Sequence, residues 1–211
     1  KKGGTFTTVI TDFPRTLRTL GPDATGGIRP YLLDYVECFF AHPHPSVPGA
    51  AFPGVAAQWA VDPATKSVHY RIDPQARWSD GRPITSANVV FTCYFYRSPH
   101  IRAPWYNDFY TRNFTRLVIY DDRTFAFYHP DLKPDLVARF AAFAPYPRHA
   151  LQDFGPDWVE RHQWRTLPKT GAYQILDKDI DKGRSITLTR VKDWWAADKR
   201  FFRSEEHTSE L

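Results

Sequence analysis

The spacing of apolar residues predicts a half-buried β-strand in the first half of the chain. In residues 67–72, Val68, Tyr70 and Ile72 share one side of an extended backbone, and the side chains between them are polar. A period of two is typical of a strand with one face in a core.

A tight turn and a helix follow this strand. Ser79-Asp80-Gly81 has turn chemistry, because Asp can bond to its own backbone and Gly accepts a positive φ. Pro83 stops a central strand from continuing, and Thr85 or Ser86 can cap a helix. We expect Trp78 to be the large apolar plug of this corner.

The same patterns predict several further elements. They are a first strand at residues 4–10, an amphipathic helix at residues 28–40, a hairpin with strands at 116–120 and 124–128, a short helix opened by Pro134 and Asp135, and a strand at residues 186–191.

The turn also carries a family resemblance. Residues 76–92 read ARWSDGRPITSANVVFT and resemble the W-S-D-G-x-P signature of extracellular solute-binding protein family 5. The family usually has Asp in place of Asn88, and we expect this loss of a charge near the helix N-terminus to have a small effect on stability. Further motifs in the same order are similar to the YejA-like branch of the family: G-G-T-F, P-x-T-L, A-P-W-Y-N, G-A-Y and R-V-x-D-W-W. Each motif is weak by itself, but the ordered set is specific.

The resemblance implies a mixed α/β (α+β) fold. It would be the incomplete N-terminal lobe of a two-lobed periplasmic-binding-protein type II (cluster C) fold. Residues 1–202 would form the partial lobe. Within it, residues 28–147 would be an inserted small subdomain, and residues 1–27 and 148–202 would be the main-sheet part.

The resemblance also implies a receptor and not an enzyme. Such a receptor captures oligopeptides or peptide-like solutes by lobe closure and delivers them to the permease subunits of an ABC importer. The implied protein is a monomer without cofactor, in the periplasm or otherwise extracytoplasmic and membrane-associated, with its signal peptide removed. Opine, nickel-chelate and oligosaccharide receptors share these motifs, so the ligand stays open.

Ligand contacts are predicted in two places. In the family, the P-x-T-L loop runs close to the ligand cleft, which points to Arg18 and Thr19. The aromatic stretch after the central helix points to Trp105, Tyr106 and Tyr110, although rings of this kind also fill cores. Structural roles are predicted for the remaining signature residues: Trp78, Asp80, Gly81, Gly171, Tyr173, Arg190 and Trp195.

Composition and charge narrow the class of protein. With 42% apolar and 24% charged residues, the chain is globular and not disordered. The net charge of +5 is scattered along the chain, whereas a nucleic-acid-binding protein would concentrate it, so no nucleic-acid partner is predicted.

Candidate chemistry is sparse. Cys38 and Cys93 are the only cysteines; they read as buried thiols, and a single bridge between them stays open. His42 and His44 lie in a proline-rich loop without a third ligand in sequence, so no metal is predicted. The sequence contains no G-x-S-x-G, H-E-x-x-H or P-loop motif.

Two other classes of function remain as alternatives. The many aromatic residues would suit a carbohydrate-binding or glycoside-hydrolase-like domain, but that hypothesis explains none of the motif order. A solute-sensing domain of a transcriptional regulator would share the motifs and would differ in what precedes them.

The last nine residues break with the rest of the chain. Residues 203–211 read RSEEHTSEL, show no periodicity, and match the translation of a widely used sequencing-library adapter. We expect this segment not to be native. The chain also contains no Met and therefore does not begin at a natural start codon, so a fragment is expected.

Overall fold

The computed structural model describes residues 4–44, 46–47 and 50–199. The predicted adapter segment lies outside the described residues. The helices are α1 (Arg29–Tyr31), which continues into a π-helical turn (Leu32–Val36), α2 (Ser86–Arg97), α3 (Pro104–Asn113), α4 (Leu136–Ala141) and α5 (Trp158–Arg161). The strands are β1 (Ala41–Pro43), β2 (Ala51–Pro53), β3 (Ala56–Asp62), β4 (Ser67–Ile72), β5 (Arg116–Ile119), β6 (Thr124–Tyr128), β7 (Tyr173–Gln174), β8 (Ile180–Asp181), β9 (Ser185–Ile186) and β10 (Thr189–Arg190).

The largest sheet is antiparallel and four-stranded, with the order β3-β4-β6-β5. The predicted strand at 67–72 is confirmed as β4, whose Val68, Tyr70 and Ile72 are 0–1% exposed. The predicted hairpin is confirmed as β5 and β6, with Phe125 and Phe127 both fully buried. These side chains meet α2, α3 and α4 in the main core, which is dominated by aromatic rings.

The signature corner folds as expected. Trp78 is only 3% exposed, and Gly81 has a φ of +84°, which completes the turn that a side chain would strain. The backbone N–H of Gly81 donates to Trp78 O at 2.8 Å, and Asp80 Oδ1 accepts from the N–H of Arg82 at 3.1 Å. Asp80 Oδ2 also lies 2.8 Å from Nε2 of His149, whose ring contacts Trp78 edge-on. The corner is therefore tied to the segment that follows α4.

Helix α2 begins where the sequence predicted. Thr85 is the N-cap residue, and its backbone N–H donates to Oδ1 of Asn88 at 3.0 Å. A neutral amide oxygen therefore performs the capping that the family's usual Asp would perform. The short helix predicted after Pro134 is also confirmed, as α4.

The first predicted strand is wrong. Residues 4–10 form no strand, and Phe6 and Val9 are 89% and 92% exposed. Strand structure requires a partner along the whole length of the segment, and no strand of the described chain lies beside it.

Two other predictions needed correction. The helix predicted at residues 28–40 ends at Val36, because Glu37 turns to an extended conformation and the backbone there bonds to another segment. The strand predicted at 186–191 is divided between β9 and β10, which pair with two different partners.

A stitch between two distant segments explains the early helix end. We define the stitch as residues 36–38 together with residues 169–171. The N–H of Cys38 donates to Thr170 Oγ1 at 2.7 Å, and the N–H of Gly171 donates to Val36 O at 2.9 Å. Lys169 Nζ lies 3.2 Å from Oε1 of Glu37, whose side chain is 8% exposed. The stitch joins the main core to a smaller cluster, whose buried members are Leu17, Ile28, Leu32, Val36 and Ile175.

Candidate ligand-binding site

Arg18 is a buried arginine and not a freely exposed loop residue. It is 7% exposed, and its Nη1 and Nη2 donate to the carbonyl oxygens of Leu20 and Pro22 at 2.7 and 2.8 Å. Its guanidinium lies 5.4 Å over the ring of Trp158. Burial lowers the pKa of Arg18, because removing the cation from water disfavours the charged form.

Thr19 and Tyr106 are joined by an arginine that the sequence did not single out. Nε of Arg29 donates to Thr19 O at 3.2 Å, and its Nη2 donates to the hydroxyl of Tyr106 at 2.8 Å. Thr19 is itself 5% exposed, and its Oγ1 lies 3.2 Å from the hydroxyl of Tyr146. The structure therefore brings the P-x-T-L loop and the start of α3 together through Arg29.

Three tyrosines form a stack behind this contact. The ring of Tyr96 of α2 has its centroid 5.8 Å from that of Tyr106 and 4.1 Å from that of Tyr110 of α3, and the three ring planes are nearly parallel. Tyr110 is 6% exposed, and burial raises its pKa well above the ordinary value. Its position is that of a core residue that supports the stack.

Trp105 lies at the outer end of the same aromatic group. It is 64% exposed, although its ring stacks on Phe109 at 5.0 Å and contacts Tyr106 edge-on at 5.0 Å. An exposed indole on a rigid aromatic base is a surface on which a flat or apolar part of a ligand can stack.

A small cleft, with about 40 Å³ of accessible space, lies beside the P-x-T-L loop. Arg18 and Thr19 line it, whereas Trp105, Tyr106 and Tyr110 do not. The predicted ligand-binding residues therefore fall into two neighbouring groups, with Thr19 in contact with both. The other lining residues are Leu17, Leu32, Val36, Tyr146, Trp158, His162, Arg165, Thr166, Leu167, Lys169 and Ile175.

The charged side chains of the cleft are all basic, namely Arg18, Arg165 and Lys169. Arg165 Nη1 donates to Oδ2 of Asp153 at 2.8 Å and to Nε2 of His162 at 3.1 Å. Nδ1 of His162 lies 3.1 Å from Trp158 O, an arrangement that suits a neutral imidazole with its proton on Nδ1. Burial, aided by the positive charge of Arg165, lowers the pKa of His162.

None of the structural signature residues lines the cleft. A Cβ on Gly171 would lie 2.5 Å from Tyr35 O and 2.6 Å from the carbonyl carbon of Val36, so this position leaves room only for glycine. Trp194 and Trp195 both donate their indole N–H to Thr170 O, at 2.9 and 3.1 Å. Tyr173 and Arg190 are paired residues of β7 and β10, but the side chain of Arg190 is exposed and is no buried anchor.

Sequence reasoning missed several residues of this region. Arg29, Tyr146, His162 and Arg165 belong to no motif. Arg29 and Tyr146 meet partners 77 and 127 residues away, whereas His162 and Arg165 meet each other three residues apart, and only their place beside the cleft comes from the fold. For Arg29, the partner Tyr106 is 77 residues away in sequence.

No metal centre is found in the described part of the chain. No group of three or more His, Cys, Asp or Glu side chains converges there. Cys38 and Cys93 are both buried free thiols, and burial raises the pKa of each to about 12, so neither is a reactive thiolate at neutral pH.

The family model for bacterial extracellular solute-binding proteins, family 5, matches residues 51–204. This match covers more than half of the chain, and the chain therefore belongs to that family. The family is one of binding proteins, so the expectation of a receptor and not an enzyme is confirmed at the level of the family.

Comparison with individual proteins agrees with this placement. The chain is 27% identical over 137 residues to the "probable peptide-binding protein YejA" of Agrobacterium fabrum, an alignment that covers 61% of this chain and 21% of the relative. The chain spans only 21–22% of the length of curated relatives that it matches.

The solved structures show the fold. The chain resembles OppA of Haemophilus influenzae in complex with RPPGFSPFR, with a TM-score of 0.69 and 18% identity over 88% of this chain and 38% of that one. It also resembles MoaA of Agrobacterium tumefaciens in complex with mannopinic acid, with a TM-score of 0.65 and 21% identity over 88% and 36%. The predicted fold, part of a type II periplasmic binding protein, is confirmed. Within the described residues, no helix has the length and apolar character of a membrane span.

Proposed function

We propose that this chain is part of the substrate-binding receptor of an ABC importer. The receptor captures an oligopeptide or peptide-like solute between two lobes and presents the closed form to the permease. The solute, the closure, the permease partner, the monomeric state and the periplasmic location are all parts of this proposal. The division into an inserted subdomain at 28–147 and a main-sheet part at 1–27 and 148–202 belongs to it as well.

The exposed indole of Trp105 is the observation that carries the proposal. Its neighbour Tyr106 is half-buried and is held in place by Arg29, and Tyr110 behind it is buried, so Trp105 is an outward surface on a fixed base. A receptor lobe needs such a surface, because a rigid platform loses little entropy when a solute stacks on it.

Closure explains how such a receptor signals that it is loaded. A solute that contacts both lobes binds the closed form more tightly than the open form, and it therefore shifts the population toward closure. Contacts to one lobe alone provide only part of that affinity. We therefore expect the chain by itself to bind peptides only weakly, in the millimolar range, where a Kd of 1 mM corresponds to about 4 kcal/mol.

The test is a titration of the chain with a mixture of tri- to pentapeptides, followed through the indole N–H signals in ¹⁵N-labelled protein. We expect the Trp105 signal to shift, and we expect Trp105→Ala to remove the effect. Trp164, which stacks on Phe13 elsewhere in the molecule, provides a matched internal control.

Two results would contradict the proposal. A calorimetric Kd in the micromolar range would show that one lobe is sufficient for binding and that closure is not needed. A Trp105 signal that responds to oligosaccharides but to no peptide would favour the carbohydrate-binding alternative.

A further inference from the structure

Two buried hydrogen-bond donors on the wall of the cleft have no acceptor. They are Nε of Arg18 and Nε1 of Trp158, and neither finds a partner among the described residues. The two residues are 7% and 2% exposed. Buried donors are nearly always paired in folded proteins, so this pair indicates that an acceptor belongs here.

Among the described residues, Arg18 also has no carboxylate paired directly with it. Its two other nitrogens donate to neutral carbonyl oxygens. The carboxylates that act on it from a distance, Asp23 and Glu160, pair with Arg15 at 3.4 Å and with Arg102 at 2.6 Å. A buried cation without a counter-charge is costly, and a bound anion would remove that cost.

The rest of the cleft suits the same kind of group. Its lining contains the basic side chains of Arg18, Arg165 and Lys169 and no Asp or Glu. Arg165 and Lys169 have acidic partners in Asp153 and Glu37, which leaves Arg18 as the cation in need of one. A carboxylate has two acceptor oxygens and could receive both unpaired N–H groups at once.

We propose that this cleft binds a carboxylate group of the captured solute, with Arg18 Nε–H and Trp158 Nε1–H as its donors. The origin of the carboxylate in the solute rests on the proposed function. The two donors and the lack of a directly paired carboxylate do not depend on it.

Sodium acetate is the first probe, with sodium chloride at equal ionic strength as its control. In ¹⁵N-labelled chain, we expect acetate to shift the Trp158 Nε1–H and Arg18 Nε–H signals downfield and saturably, because both protons gain an acceptor. Trp158→Phe identifies the indole signal. A linear drift that chloride reproduces would overturn the proposal, since an ordered water then suffices as the acceptor.

Variants separate binding from a merely structural role. Arg18→Lys keeps a positive charge but lacks the Nε–H donor, and we expect it to weaken acetate binding by about tenfold. Arg15→Lys is the matched control, because this neighbouring arginine is 83% exposed in its side chain and should leave the titration unchanged. Far-ultraviolet circular dichroism confirms that both variants fold. Equal acetate affinity in the parent and in folded Arg18→Lys would overturn the proposal.

The source of the carboxylate is tested with N-acetyl-trialanine and its C-terminal amide. We expect the free acid, but not the amide, to move the Trp158 signal. Peptides that move Trp105 while acid and amide leave Trp158 equally unmoved would overturn this inference and leave the proposed function intact. A Trp158 signal that responds to acetate while no peptide moves Trp105 would support the carboxylate site and contradict the proposed function.

Discussion

Two kinds of single residue matter most in this molecule: a glycine that lets two backbone segments touch, and basic side chains that are buried. Gly171 allows two backbone segments to touch, and Arg18 and His162 lie in a cleft where water is largely replaced by protein. None of these properties follows from residue type alone. The glycine was predicted from its motif, whereas the partner it touches was not.

Replacing Gly171 by Ala should destabilise the chain strongly. The added Cβ would lie 2.5 Å from Tyr35 O, and backbone atoms there cannot rotate away. We expect a loss of about 2–4 kcal/mol in the free energy of unfolding, measured by urea denaturation. Gly155→Ala is the matched control, because the nearest atom to its Cβ is 3.8 Å away. Similar stabilities for the two variants would show that the contact at Gly171 is not tight.

His162 should make stability depend on pH. Its folded-state pKa is lowered, so below the unfolded pKa of about 6.5 the unfolded chain takes up a proton that the folded chain does not. Stability is therefore complete above pH 6.5 and falls as the pH decreases toward the folded pKa. Burial also lowers the pKa of His42, and this residue should likewise make the chain less stable as the pH decreases.

We expect His162→Gln to reduce the loss of stability between pH 7 and pH 5, as measured by urea unfolding at both values. His100→Gln is the control, because this ring is in contact with Phe154 outside the cleft. An unchanged pH dependence in His162→Gln would exclude the neutral, buried imidazole.

At the scale of elements, the sequence predicted correctly those strands and helices whose formation depends on residues close together in the chain. Strand β4 and the β5–β6 hairpin were found because their periodicity and their partners are local. The strand at 4–10 failed because a strand also needs a neighbour, and its own pattern cannot supply one. The helix from residue 28 was predicted too long because the stitch that ends it involves residues far along the chain.

The start of α2 gives a prediction at this scale. Asn88→Ala removes the acceptor for the N–H of Thr85, and we expect a loss of about 1 kcal/mol in the free energy of unfolding. Asn88→Asp restores the family's usual residue and keeps the acceptor. Its favourable charge at the helix start is opposed by burial, since the residue is 6% exposed, so we expect a change within about 0.5 kcal/mol. Thermal unfolding of both variants is the measurement, and equal losses for the two would argue against the capping role.

At the scale of the whole molecule, the ion pair of the stitch holds distant segments together. Lys169 and Glu37 are 132 residues apart, with side chains 19% and 8% exposed. We expect Lys169→Met to cost about 3 kcal/mol, because it leaves a buried carboxylate without its partner.

Glu37→Gln combined with Lys169→Met removes both charges together. We expect this double variant to recover most of the stability that the single Lys169→Met loses, which a double-mutant cycle from chemical denaturation would measure. Additive losses of unfolding free energy in the cycle would show that Glu37 and Lys169 do not interact.

The candidate site illustrates the same limit on sequence reasoning. Motifs indicated Arg18, Thr19 and the aromatic stretch, but not that Arg18 and Thr19 both line the cleft while Thr19 is also linked to the aromatic group through Arg29. Arg29 could not be predicted because it contacts Tyr106, 77 residues away, and His162 could not be predicted because its place in the cleft depends on the fold. The fold and its motifs do not determine the ligand, since proteins of the same fold were solved with a peptide and with mannopinic acid.

The stitch also has a consequence for the order in which the protein is made. Residues 36–38 leave the ribosome well before residues 169–171, so until the later segment is made Cys38 has no Thr170 and Glu37 has no lysine to neutralise it. The end of the first helix therefore cannot form its native contacts until the later segment emerges. A chain with such a delayed contact stays partly folded for longer and is more exposed to misfolding and aggregation during synthesis.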